Sequence, residues 1–288
     1  LFRSLLNFYA GIAEYSAAQI TPWQITGKQI WQEGSTKIYE YGKGTPVLVI
    51  SPLINKPAIL NELMQHLAQA GFCALLVDWG APTEAEKNFD VGAYIARLAK
   101  FYKPNMHVVG YCMGGILALK LATSMAVKSL VLIATPWDFA HISKLPTNFL
   151  GTGDFVPPEV ISSLFTYADL FSVYDKFSAL PAMPLAKKQE FCTVEYWVND
   201  GVPMAQPLAK ECIEGWVGKN KIDINLAAVS AKTLVCVAMQ DKIVPINSSL
   251  PLLAHLQNSE LCKLPSGHIG IITKKLVHKP LVEFLTKL

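Results

Sequence analysis

Charge is scarce in this 288-residue chain. Asp, Glu, Lys and Arg make up 16% of it, against the roughly 25% of an ordinary globular domain. The net charge is only +3, and no dense Lys/Arg cluster is present, so nucleic acid is not expected as a partner. No C-x-x-C pair and no ligand-spaced His/Cys group occurs, which argues against a metal. No nucleotide-binding motif calls for a cofactor. Repeats and low-complexity segments are also missing. The six cysteines (Cys73, Cys112, Cys192, Cys212, Cys236, Cys262) could make three disulfides. Cys73 and Cys236, however, sit in apolar runs that read as core strands, which fits reduced thiols in a cytoplasmic protein. A long apolar span is lacking too. The segment from Leu1 to Ala10 imitates a secretion signal weakly, is interrupted by Asn7 and followed by Glu14, and is too short to cross a bilayer. Residues 1–25 are expected to form an amphipathic helical segment that packs on the body or meets a partner or lipid surface. The chain opens on Leu1 rather than methionine, which leaves room for residues before it.

Apolar residues, at 51%, are plentiful. They allow a large core and also an apolar channel. Ile30–Glu33 and Thr36–Glu40, around Gly34-Ser35, read as a hairpin. Apolar runs at Pro46–Ile50, Cys73–Val77, Met106–Val109, Ser129–Ala134 and Thr233–Met239 read as strands, and Glu260–Leu264 continues the alternation as another. Helical spacing recurs at Ile59–Ala70, after Asp90 from Val91 to about Lys100, behind residue 112 to about Met125, and at the C-terminus up to Leu288. A further segment runs from Ile246 to Gln257. Such alternation implies a mostly parallel sheet with helices on both faces. Between residues 135 and 230 the rhythm breaks, with prolines at 136, 146, 157, 158, 181, 184, 203 and 207. The expected organisation is therefore a core of 26–134 plus 231–288 with a mainly helical cap, 135–230, inserted in it.

The core carries one chemically suggestive turn. Gly110-Tyr111-Cys112-Met113-Gly114 joins a strand to a helix, the context of the nucleophile elbow of α/β-hydrolases, with sulfur in place of serine oxygen. Cys112 would stand at a helix N-terminus, where partial positive charge favours a thiolate. The alternative is a buried, inert cysteine. In this fold an acid and then a histidine follow the nucleophile. Asp241 lies just past a strand, and His268 lies in the glycine-containing loop Ser266–Gly270. His268 could take the Cys112 proton while Asp241 orients the imidazole. Asp138, after the preceding strand, is the rival acid. The oxyanion hole would use the backbone N–H of Met113 and one from Ser51–Lys56. Pro52 has none to give, so Leu53 or Ile54 would supply it.

These residues resemble the polyhydroxyalkanoate synthases, cysteine-dependent enzymes of the α/β-hydrolase fold that polymerise 3-hydroxyacyl groups from CoA thioesters. The resemblance rests on Pro52-Leu53-Ile54-Asn55-Lys56 with Ile59-Leu60, Asp78-Trp79-Gly80, Gly110–Gly115, Asp241–Pro245 and Gly267-His268-Ile269, with Tyr196–Asp200 and Trp216–Asn220 as cap segments. It implies catalytic roles for Cys112, Asp241 and His268, substrate contacts by Asn55, Trp197 and Asn220, and no cofactor. It also implies a granule surface, and a homodimer or partner subunit, as associations. Dienelactone hydrolases carry a similar cysteine elbow without a large cap, whereas Cys112 and Asp241 stand 129 positions apart here. The chain is shorter than the well-known synthases, Lys242 stands where the family commonly has histidine, and Asn61 where it has aspartate. A hydrolase (thioesterase, polyester depolymerase or dienelactone hydrolase) using water as acceptor stays open, as does a non-catalytic granule subunit.

Overall fold

The computed structural model describes residues 2–142, 150–168 and 170–288; Leu1 and Pro146 lie outside them. Ten strands are found among the described residues: β1 Lys28–Glu33, β2 Thr36–Tyr41, β3 Thr45–Ile50, β4 Phe72–Asp78, β5 His107–Tyr111, β6 Ser129–Ile133, β7 Phe155–Val156, β8 Met204–Ala205, β9 Lys232–Ala238 and β10 Ser259–Leu264. Eight of them form one sheet in the order β1-β2-β4-β3-β5-β6-β9-β10. The pairs from β4 to β10 are parallel. The β1–β2 hairpin and the β2–β4 edge are antiparallel.

The central strands are buried on both faces, which is why they read as continuous apolar runs rather than alternating ones. On one face Leu48, Val108, Leu130 and Val235 meet Leu98 of α3 (Val91–Phe101) and Ile116 of α4 (Met113–Ser124). On the other, Val49, Val109, Val131 and Leu234 meet Leu63 of α2 (Asn61–Gln69), together with Ile271 and Leu281 from the C-terminal helices. Asp90 caps α3 as its position suggests, accepting the Ala93 N–H at 2.8 Å.

Three local expectations need correction. The segment expected as one helix from Ile59 is a 3-10 turn, Pro57–Leu60, followed by α2. Ile246–Gln257 is two short helices, Ile246–Ser249 and Pro251–His255. Pro251 opens the second because it has no N–H to continue the first. The amphipathic N-terminal helix, α1, runs Phe2–Ala17 and stops well short of residue 25.

Between β6 and β9 the chain is mainly helical, with α5 Pro158–Ala168, α6 Leu170–Ala179, α7 Leu185–Asn199 and α8 Gln206–Lys210, the last running into a π-helix at Glu211–Gly218. The small β7–β8 ribbon within it was not legible in the sequence. α1 packs on this insertion. Phe8 stacks on Tyr174 (5.0 Å), Tyr15 meets Phe177 edge-on (5.6 Å), and Lys188 pairs with Glu14 at 2.6 Å.

Candidate active site

The carboxyl ends of β3, β5, β6, β9 and β10 lie along one edge of the sheet, where open α/β folds gather ligands. Cys112 is the single residue between β5 and α4, at φ 53° and ψ −126°. A non-glycine residue in such a conformation stores strain and is held only by its surroundings. Here the Cys112 N–H donates to Ile133 O (2.8 Å) and its carbonyl accepts the Gly115 N–H (2.9 Å). Glycine is required at two flanking positions. A Cβ on Gly110 would stand 2.4 Å from the Gly115 Cα, and one on Gly114 would stand 2.2 Å from Ile50 O. The second clearance lets the loop after β3 close on the first turn of α4. The Met113 N–H is in that turn, where a helix offers no carbonyl partner. Leu53 is buried and Ile54 half-buried in the same loop, and Ile54 O accepts the Val202 N–H at 3.1 Å. These are the segments from which an oxyanion hole would be drawn.

His268 is brought to Cys112 and to Asp241 together. Its Nδ1 lies 2.7 Å from Asp241 Oδ2, and Cys112 stands near enough to the imidazole to raise its pKa. Asp241 Oδ1 accepts the N–H groups of Ile243 (2.9 Å) and Val244 (2.8 Å), so both carboxylate oxygens are occupied in a fully buried side chain. Burial by itself would depress the His268 pKa. The neighbouring Cys112, the hydrogen bond to Asp241 and the Asp241 charge outweigh it and lift the pKa to about 10. Beneath the imidazole, the Tyr111 ring stacks at 5.4 Å with an interplanar angle of 29°. The Tyr111 hydroxyl donates to His268 O at 3.2 Å.

The rival acid is engaged elsewhere. Asp138 Oδ1 accepts from the Ala140 N–H (3.0 Å) and Asn220 Nδ2 (2.8 Å), and Oδ2 faces His141 Nε2 at 3.6 Å. Asn220 also accepts the Phe139 N–H at 2.7 Å. It therefore shapes the segment after β6 and does not bond Cys112, Asp241 or His268. Trp197 is buried and donates its indole N–H to Lys56 O (2.7 Å), while Asn55 Nδ2 reaches Val198 O at 3.5 Å and its backbone bridges Gly201. Both tie the loop after β3 to α7. Asn61 accepts from the Thr26 N–H and hydroxyl and from the Tyr41 hydroxyl, an anchoring role away from the site. Sequence reasoning gave no role to Tyr111 or to the serine latch behind the site. In that latch Ser249 Oγ donates to Thr135 O (2.6 Å) and Ser248 O accepts the Asp138 N–H (2.9 Å). An aromatic residue directly before the elbow cysteine was the one available signal for Tyr111.

Residues 54–275 match a family model described as the alpha/beta hydrolase fold. Poly(3-hydroxyalkanoate) polymerase subunit PhaC of Haloferax mediterranei is 21% identical over 91% of this chain, which spans only 63% of that relative's length. The PhaC subunit of Thiocystis violacea is 24% identical, over 90% of this chain and 86% of its own. Among solved structures, a mutant of the meta-cleavage product hydrolase CumD superposes with a TM-score of 0.61 at 20% identity, covering 91% of this chain and 98% of the other. Strand order, the glycine-flanked turn and the family match agree: the chain belongs to the α/β-hydrolase fold family, in a PhaC-like form.

Proposed function

We propose that this enzyme is a cysteine acyltransferase that accepts 3-hydroxyacyl groups from CoA thioesters and joins them into polyester. The observation that carries the reading is the 2.7 Å pairing of His268 with Asp241 beside a cysteine held in the strained turn between β5 and α4. In the first half-reaction the Cys112 thiolate attacks the thioester carbonyl. The N–H groups of Met113 and of Leu53 or Ile54 take the developing oxyanion, His268 protonates the departing CoA sulfur, and the acyl group remains on Cys112. In the second half-reaction the hydroxyl of another hydroxyacyl unit gives its proton to His268 and attacks the acyl-cysteine. An ester forms and the Cys112 thiolate is released.

Sulfur suits this sequence of steps. Loading exchanges one thioester for another, so the acyl group stays activated for transfer, whereas a serine ester would lose that activation at once. Cysteine is also the stronger nucleophile near neutral pH. α1 extends the proposal to a polyester granule surface, since Leu5, Leu6 and Tyr9 stand 44%, 55% and 60% exposed on it. No helix among the described residues is long and apolar enough to cross a membrane.

Incubation with 3-hydroxybutyryl-CoA is expected to release CoA and leave oligomers attached to Cys112, read by mass spectrometry of the intact protein. The departure at Lys242 favours a second reading, a hydrolase with the same triad and water as acceptor. Release of free monomeric acid with no oligomer at any stage selects it over polymerisation.

A further inference from the structure

We propose that Tyr111 is a positioning residue whose ring holds the His268 imidazole against Cys112; this rests on the reading that Cys112 and His268 are the reacting pair. The last residues of β5 alternate in direction, so that Val108 faces the α3–α4 side while Val109 and Tyr111 face the opposite core. Cys112 then breaks the strand at φ 53° and turns the chain down the α4 side. The residue immediately before the nucleophile is thereby left under the loop that follows β10, and that loop carries His268.

Two independent contacts join them: the ring lies against the imidazole, and the phenol hydroxyl donates to the His268 carbonyl. Tyr111 is 1% exposed, and burial with the charges of Cys112 and Asp241 keeps its phenol protonated, so the donor is permanent. The electron-rich face of a tyrosine attracts a cation placed against it, and protonated His268 is such a cation. Asp241 grips the ring edge through Nδ1, but a single hydrogen bond permits the ring to swing about it. Stacking removes that freedom and keeps the remaining edge on the sulfur. Displacements of about 1 Å at a reacting group cost on the order of a hundredfold in rate.

The test compares Tyr111→Phe, Tyr111→Leu and pentafluorophenylalanine at position 111, the last keeping the ring's shape while reversing the charge of its face. The readout is the rate of iodoacetamide alkylation at Cys112, followed by peptide mass spectrometry, which needs no acyl substrate or acceptor. Y111F is expected to stay within a fewfold of the parent. Y111L is expected to fall by about ten- to a hundredfold, and kcat to fall with it while KM stays within a fewfold. The fluorinated ring is expected to fall at least about tenfold below Y111F, and it carries the comparison where Y111L does not fold. Parent-like alkylation in Y111L and in the fluorinated variant overturns the proposal, as does Y111F falling as far as Y111L. A parent Cys112 no more reactive than the other five thiols overturns the triad itself, and the Tyr111 role with it. Normal Cys112 reactivity combined with no turnover of hydroxyacyl-CoA sinks only the proposed function.

Discussion

At the scale of single residues, the site depends on Asp241 serving two loops at once. One oxygen orients His268, and the other fixes the turn through Ile243 and Val244. Asp241→Asn preserves the shape, yet its amide can present nitrogen to the imidazole and removes the charge that supports the imidazolium. Turnover of an acyl-CoA is expected to drop by about 10²–10⁴-fold, and the His268 pKa to fall from about 10, as read by kinetics and an NMR titration. Gly114→Ala acts by sterics alone. Its Cβ would stand 2.2 Å from Ile50 O, and backbone cannot swing aside as a side chain can. The loop after β3 must retreat, taking the Leu53 and Ile54 N–H groups with it. Removing a single oxyanion donor costs about 10²–10³ in kcat. A G114A protein that is folded, as circular dichroism reports, is therefore expected to lose at least that much with little change in iodoacetamide reactivity at Cys112.

Among the elements, the antiparallel hairpin is held to the parallel sheet by a buried ionic cluster. Glu86 Oε1 accepts the N–H (2.9 Å) and hydroxyl (3.2 Å) of Ser35 and pairs with Arg97, while Oε2 accepts the Thr83 N–H at 2.6 Å. Arg97 of α3 also donates to Thr36 Oγ1 (3.0 Å) and lies 4.6 Å over the Phe89 ring. Glu86 and Arg97 are 1% and 6% exposed, so Arg97→Met leaves a carboxylate buried without its counter-charge. It is expected to destabilise the fold by about 3–5 kcal/mol in urea unfolding. Adding Glu86→Gln should restore part of that, because the amide oxygen still accepts an N–H without burying a charge. The strands that this cluster braces were the most legible part of the sequence, since burial on both faces leaves an uninterrupted apolar run bounded by turn residues. The Cys112 and Asp241 positions could be picked out for the same reason, each following such a run, and His268 by its glycine-containing loop after the next strand. The packing within the insertion was not legible. In α7 the exposed Leu185 and the buried Glu195 invert the usual pattern, and Glu195 is buried because Lys176 of α6 meets it at 2.6 Å. Only tertiary contacts with α1 and α6 decide which side of these helices faces inward, and no local periodicity records them. Nor does any local pattern record the hydrogen bond of Trp197 to Lys56 O, which spans 141 positions.

For the molecule as a whole, two histidines far from the site govern stability in mild acid. His107 lies in β5, fully buried, with Nδ1 2.7 Å from Ser129 Oγ and, among the described residues, no partner at Nε2. His278 begins the last helix, 5% exposed, with its ring 4.9 Å from that of His66. Burial lowers both to about 4, assisted by Lys128 for His107 and by His66 and Lys275 for His278. A depressed folded pKa means that below about 6.5 the unfolded chain binds protons that the folded chain refuses. Stability therefore rises with pH between the two values and is lost as pH falls. Each group contributes a slope approaching about 1.4 kcal/mol per pH unit inside that window. The raised carboxyls of Asp78 and Glu211 act in the opposite sense nearer their own ordinary range, so the cleanest interval is pH 5 to about 6.5. Urea unfolding across that interval is expected to show a steep acid limb in the parent. In His278→Phe, which fills the same space beside His66 without a titrating nitrogen, the limb should flatten by close to one proton's slope. A parent profile flat between pH 5 and about 6.5, or an H278F profile as steep as the parent's, removes His278 as a source of acid sensitivity.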